Sequence, residues 1–139
     1  MLDTIITKYP FVIVTTVTRK PGLTREQFRH HLETAYAPLV KKVTGNLHPL
    51  TWTRRYHIDD GEGPKGLPRV LVGVDDNLAD CFSEMTFVDE LHCQQFLAFM
   101  HTKDAEPLLE EEAKFADMEK MKIIIMRREY SFREEIQKA

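Results

Sequence analysis

Six histidines and a single tryptophan are the side chains best suited to chemistry in this sequence. Histidine titrates closest to neutral pH and can both take and return a proton. His57 closes a predicted strand, with Asp59 and Asp60 near enough in sequence to orient its ring, and is the first candidate for a proton carrier. Its plain alternative is a strand-end surface histidine. His101 follows Phe99 and Met100 at the end of a predicted helix. It either points into the space between helices and sheet or favours the helix dipole. His48 precedes Pro49 and is a candidate for lining the same space. His30 and His31 are adjacent on one helix, so they point in different directions, and His92 reads as a partly buried neighbour of Phe96. Trp52 is suited to stacking on an aromatic ring, or to a place in the core or an interface. Phe96, Phe99 and Met100 are candidate apolar walls, although such a stripe also describes plain core.

The motifs that are missing narrow the chemistry. The sequence has no HExxH, no Gly-x-Gly-x-x-Gly, no P-loop and no GxSxG elbow. No pair of histidines has zinc-ligand spacing. Cys81 and Cys93 show no metal or redox spacing and read as buried thiols. The expected chemistry is acid–base work with no metal and no cofactor. A net charge of −3 gives little attraction for phosphate backbones, so nucleic acid is not an expected partner. Asp3 and Lys8 interrupt the apolar N-terminal stretch, and no basic region precedes it. Neither a signal peptide nor a membrane span is expected, and the cytoplasm is the expected location.

The elements that must position these side chains follow from periodicity. Phe11 to Val17 is rich in β-branched residues and reads as a strand. A Lys20-Pro21-Gly22 turn leads to a helix whose start carries a capping box, Thr24 with Gln27, and a staple, Leu23 with Phe28. Phe28, Leu32, Ala35 and Leu39 give that helix an apolar face. Pro38 is expected to bend or end it, with a continuation through Val43 and a stop near Gly45-Asn46. Leu50 to Ile58 alternates as a second strand. It puts Trp52, Arg54 and Tyr56 on one face, and Thr53, Arg55 and His57 on the other. An inward arginine needs a carboxylate, either Glu84 or the Glu110–Glu112 run, or a substrate carboxylate or phenolate.

Residues 59–79 hold four glycines and two prolines and read as a long loop, a lid or a surface insertion, with a small extra strand at Arg69 to Val72. Cys81 to Phe87 is a third strand. Val88, Leu91, Gln95 and Phe99, with Phe96 beside them, mark a second amphipathic helix to about Met100. Pro107 to Asp117 reads as a shorter helix with Glu110, Glu111 and Glu112 in its first turn. Lys122 to Met126 is a fourth strand, and the charged tail 131–139 reads as a frayed or exchanged helix.

The order is βαββαβ, an α+β ferredoxin-like arrangement in one domain, 1–139, with its core at about 11–126. Ile123 and Ile125 fall on one face of the last strand, while Ile124 and Met126 fall on the other. A sheet apolar on both faces, with helices on only one, needs a partner. Two such sheets packed face to face predict a homodimer.

Two blocks carry a family resemblance. The first runs from Lys20-Pro21-Gly22-Leu23-Thr24 through Phe28 to Tyr36-Ala37-Pro38-Leu39-Val40, then Tyr56-His57. The second is Glu111-Glu112, Phe115 and Asp117 before the last strand. In this order and spacing the chain resembles the EthD-domain family. The resemblance implies a dimeric α/β barrel and the company of cofactor-free enzymes of aromatic and fungal polyketide tailoring. It implies a lyase or cyclase that decarboxylates, dehydrates or closes rings by aldol chemistry on a small aromatic substrate. The family usually carries a histidine where this chain has Tyr36. A phenol is a poor base at neutral pH, so Tyr36 is expected to polarise a carbonyl or phenolate oxygen instead. On this reading His57 and His101 carry protons, Trp52 packs the ring, and His48, Phe96, Phe99 and Met100 line the pocket. The rival readings are a cofactor-free monooxygenase of phenols or anthrones, and a non-catalytic dimeric binding protein.

Overall fold

The computed structural model describes residues 8–58, 68–73 and 77–133. Four strands, β1 (Phe11–Val17), β2 (Thr51–Tyr56), β3 (Cys81–Thr86) and β4 (Lys122–Arg127), form one antiparallel sheet in the order β2-β3-β1-β4. Helices α1 (Arg25–His31), α2 (Ala37–Thr44), α3 (Glu90–Phe99) and α4 (Glu106–Glu112) complete a ferredoxin-like α+β fold. The register pairs Thr15 with Ser83 across the two central strands. Arg54 lies beyond Ser83, and Ile123 beyond Thr15. Paired residues share a face, so this row runs across the helix-covered side of the sheet.

The capping box at α1 forms as its sequence requires. Thr24 Oγ1 accepts from the Gln27 N–H at 3.1 Å, and Gln27 Oε1 accepts from the Thr24 N–H at 2.9 Å. Between α1 and α2 the chain widens into a π turn, Leu32–Tyr36, in which the Ala37 N–H reaches back five residues to the Leu32 carbonyl. Pro38 supplies the cause. It has no N–H and its ring would collide with the carbonyl four residues earlier. The wider turn absorbs that conflict, and the helical run continues to Thr44 rather than breaking. Such turns recur at functional sites, and this one ends on Tyr36.

Several sequence expectations need correcting. Helix α3 does not bury the stripe Val88, Leu91, Gln95 and Phe99, because Val88 and Leu91 are exposed. It buries Cys93 and Phe96, and Leu97 and Met100 pack beside them. These four follow the i, i+3, i+4, i+7 pattern of a helix face. Arg69 to Val72 form no strand; Leu71 and Val72 stand out to solvent. Helix α4 begins at Glu106, so Glu110 to Glu112 occupy its last turn rather than its first. The rest of the 59–79 loop, at 59–67 and 74–76, and the tail at 134–139 lie outside the described residues. Cys81 and Cys93 are both free and buried.

Candidate functional site

The helix-covered face of the sheet does not pack solid. A cavity of about 310 Å³ lies between the strands and the helices. Its floor is Ile13, Thr15 and Val17 from β1 with Cys81, Ser83 and Met85 from β3. Leu32, Tyr36 and Val40 cover it from the first helical run, and Phe96, Leu97 and Met100 from α3. Glu112 enters from the end of α4. The lining is mostly apolar with a few polar groups, as small-ligand sites usually are.

Glu112 is the unexpected group. A carboxylate at a helix C-terminus opposes the dipole, yet this one is only 8% exposed. Backbone ties to the segment after it hold it in place. The Ala116 N–H bonds to the Glu112 carbonyl at 2.9 Å, the Lys20 N–H to the Phe115 carbonyl at 2.8 Å, and the Asp117 N–H to the Thr18 carbonyl at 2.8 Å. Phe115 is fully buried and packs edge-on against Phe28 and Tyr36, with ring centroids 5.7 and 5.4 Å away. His31 stacks on Phe115 and bonds to Glu111 at 2.7 Å. The Glu111-Glu112-x-x-Phe115-x-Asp117 block therefore has a mechanical meaning. Glu111 ties α4 to α1, Phe115 anchors the turn, Asp117 caps the next turn by accepting from the Glu119 N–H, and Glu112 is left facing the cavity.

Burial lifts the Glu112 carboxyl from its ordinary value of 4.5 to about 7, with a hydrogen bond from Tyr36 opposing part of the rise. Tyr36 is 6% exposed. Burial, the Glu112 charge and the hydrogen bond to it all push the phenol well above its ordinary range. It stays protonated and acts as a donor. The site thus joins a carboxyl poised near neutral pH to a fixed O–H. Beside them the Cys81 thiol is pushed up to about 11 by burial, so it stays protonated at neutral pH.

A second polar network braces the site from outside. Glu33, on the π turn, accepts from Arg54 Nε at 2.6 Å and from Nη2 at 3.0 Å, and the Tyr56 hydroxyl donates to the same carboxylate. These contacts hold Glu33 below its usual carboxylate range, the Arg54 hydrogen bond most of all. Arg54 is thus the inward arginine of β2, but its partner is Glu33 rather than Glu84 or the Glu110–Glu112 run. Its guanidinium also lies 4.6 Å from the centre of the Trp52 ring. Trp52 lines the cavity and meets Tyr36 edge-on at 6.2 Å.

The other candidates divide by position. Tyr36, Trp52, Phe96, Met100 and His101 come together around the cavity, with His101 exposed at its edge. Phe99 packs into the core instead. His48 donates from Nδ1 to the Pro49 carbonyl at 2.8 Å and lies near Trp52 without lining the cavity. His57 is not brought to the site. It follows the last residue of β2 and does not line the cavity, with Nε2 donating to the Ala79 carbonyl at 2.7 Å and its ring edge-on to Phe82. It borders a separate recess of about 70 Å³ with Arg25 and Asp80. His92 uses both ring nitrogens structurally, on the Leu47 carbonyl and the Val88 N–H. Glu112 was the residue that sequence reasoning passed over. Its signal was a position on the apolar stripe Leu108, Glu112, Phe115, where a carboxylate is out of character.

Fold and cavity together define an α+β ferredoxin-like protein with an apolar chamber and a buried acid. Its sequence matches the EthD domain over residues 20–119, and the chain belongs to that family. Solved structures agree on the fold. An ethyl tert-butyl ether D (EthD) family protein from Bacillus halodurans shares 18% identity at a TM-score of 0.53, covering 86% of this chain and 99% of its own. An EthD-like protein from Ralstonia eutropha shares 11% at 0.53, covering 91% and 98%. A hypothetical protein from Arabidopsis thaliana shares 14% at 0.53, covering 90% and 93%. No curated protein sequence matches this chain significantly.

Proposed function

We propose that this protein is a cofactor-independent lyase or cyclase acting on a small aromatic, polyketide-type substrate by acid–base catalysis in the cavity. The observation that carries the reading is the Glu112 carboxyl, buried in an apolar chamber, raised to about 7 and hydrogen-bonded to Tyr36. A group with a pKa near the working pH is the most effective proton carrier. Ionised Glu112 takes a proton from a carbon or phenol activated by a neighbouring carbonyl. Once Glu112 holds the proton, the single Tyr36 O–H turns from the carboxyl to the oxygen on which charge collects, and the protonated carboxyl returns the proton where a bond breaks or closes. His101, at the edge, exchanges protons with solvent. The size and apolar lining of the chamber support a small, largely apolar ligand. An engineered cavity of about 150 Å³ holds one benzene ring, so about 310 Å³ suits one ring with substituents or a fused pair.

A homodimer belongs to the same proposal. Ile123, Ile124, Ile125 and Met126 are all exposed on the edge strand β4. A bare apolar edge is an aggregation hazard unless it is covered, and a second copy meeting the open sheet face would cover Ile124 and Met126.

The test is incubation of the purified protein with one- and two-ring aromatic polyketide acids and with anthrones, read by mass spectrometry. Loss of carbon dioxide or water that disappears in Glu112→Gln supports the proposal. Turnover that survives in that variant rejects Glu112 as the proton carrier, and a gain of oxygen would move the protein to the monooxygenase class.

A further inference from the structure

The floor of the cavity carries a polar feature that proton transfer at Glu112 does not use. Thr15 and Ser83 face each other across β1 and β3, and their hydroxyls are hydrogen-bonded to one another. Both line the cavity, and Ser83 is 3% exposed. Above and below them along the same face the floor is apolar, with Ile13 beside Met85 and Val17 beside Cys81. Two central-strand positions that a β-branched apolar residue would fill well hold hydroxyls instead. Burying a hydroxyl is unfavourable unless its bonds are satisfied. A pair of hydroxyls has two O–H groups and four lone pairs. Their mutual bond uses one donor and one lone pair, which leaves one O–H and three acceptor sites on two residues that line the chamber.

The neighbours in the row do not absorb that capacity. Ile123, beside Thr15, has no polar side-chain atom. Arg54, beside Ser83, sends its guanidinium to Glu33 and the Trp52 carbonyl. Tyr36 and Glu112 come from the helical side, so the chamber presents polar groups on its roof and on its floor with apolar walls between.

We infer that the Thr15–Ser83 hydroxyl pair is a second polar subsite, which takes an oxygen of the substrate remote from the one held at Tyr36 and Glu112. The inference rests on the reading of the cavity as the substrate site. It adds that the ligand is a one- or two-ring aromatic oxygenated at two separated positions. A ligand with one oxygen can satisfy only the roof or the floor. A ligand with two is fixed in direction, and the reacting carbon is presented to Glu112 in one orientation.

The test is equilibrium binding, which needs no turnover. Naphthalene, 2-naphthol, 2,6-dihydroxynaphthalene and 2,7-dihydroxynaphthalene are titrated into the wild-type protein and read by calorimetry. At least one diol is expected to bind about three- to tenfold more tightly than 2-naphthol, the worth of one net hydrogen bond. That preference is expected to collapse in the double variant Thr15→Val/Ser83→Ala, which leaves no hydroxyl on the floor, and to survive in Thr15→Ser. Each single variant, Thr15→Val or Ser83→Ala, keeps one hydroxyl and should weaken the preference in part, and the two serve if the double variant fails to fold. Binding of 2-naphthol as tight as that of both diols overturns the subsite but leaves the cavity reading standing, as does a diol preference that persists in the folded disruptive variants. Absence of binding by every probe removes the cavity reading and the subsite with it. Loss of turnover in Glu112→Gln tests the catalytic proposal separately.

Discussion

The Tyr36 hydroxyl and the Glu112 carboxyl meet in a hydrogen bond although 76 positions separate them in sequence, and Phe115 packs against the Tyr36 ring at 5.4 Å to hold the pair in place. One partner ends a π turn forced by Pro38, and the other ends a short helix tied down through the backbone of Thr18 and Lys20.

Stability should fall as pH rises towards neutrality. The folded-state value of Glu112, about 7, lies above its ordinary 4.5, so between these values the native protein binds more protons than the unfolded chain. Stability is therefore greatest below about 4.5 as far as this group is concerned, and the loss is complete above about 7. Its size is roughly 3 kcal/mol at about 1.4 kcal/mol per unit. Glu112→Gln should remove this component, so urea unfolding at pH 5 and pH 8 should show a smaller decline in the variant. Parallel declines in the two proteins would mean that Glu112 titrates normally.

Tyr36→Phe should do two things at once. It removes a donor to developing charge, which is expected to lower kcat roughly 10²-fold. It also removes the hydrogen bond that opposes the rise at Glu112, so the carboxyl moves further up. The limb of the pH–rate profile that reports ionised Glu112 should shift to higher pH. A lowered rate with an unmoved limb would separate Tyr36 from Glu112.

His57→Ala should leave kcat within about threefold of wild type, because the imidazole holds the Ala79 carbonyl and does not line the cavity. His101→Ala should slow turnover, though by less than the roughly 10²–10⁴-fold expected for the loss of a general acid–base group at Glu112. A larger loss from His57 than from His101 would move the chemistry to the recess that His57 shares with Arg25 and Asp80.

Sedimentation should show a dimer whose assembly depends on the bare strand. Ile124→Glu places a charge on the open face of β4 and should yield a monomer. A wild-type protein that sediments as a monomer at micromolar concentration would remove the face-to-face arrangement.

Much of the fold was legible because it is local. Thr24 with Gln27, Leu23 with Phe28, and the alternation of β2 are short-range patterns, and each appears in place. The alternation that put Trp52 and Tyr56 on one face already set His57 on the other, so its distance from Trp52's cavity could be read from parity alone. Helix α3 misled because two apolar stripes compete along it. Burial of Phe96 against Phe87, with ring centroids 5.5 Å apart, selects Cys93 and Phe96 over Val88 and Leu91.

By itself the sequence determined the elements, their order and which residues share a strand face, since these follow from backbone geometry within a few residues. The tertiary structure alone decided that Glu112 is an acid poised near neutral pH and that Thr15 and Ser83 open onto empty space. Desolvation depends on what surrounds a group on every side. For Glu112 those surroundings come from β1, the π turn, α3 and β3, which no local pattern brings together.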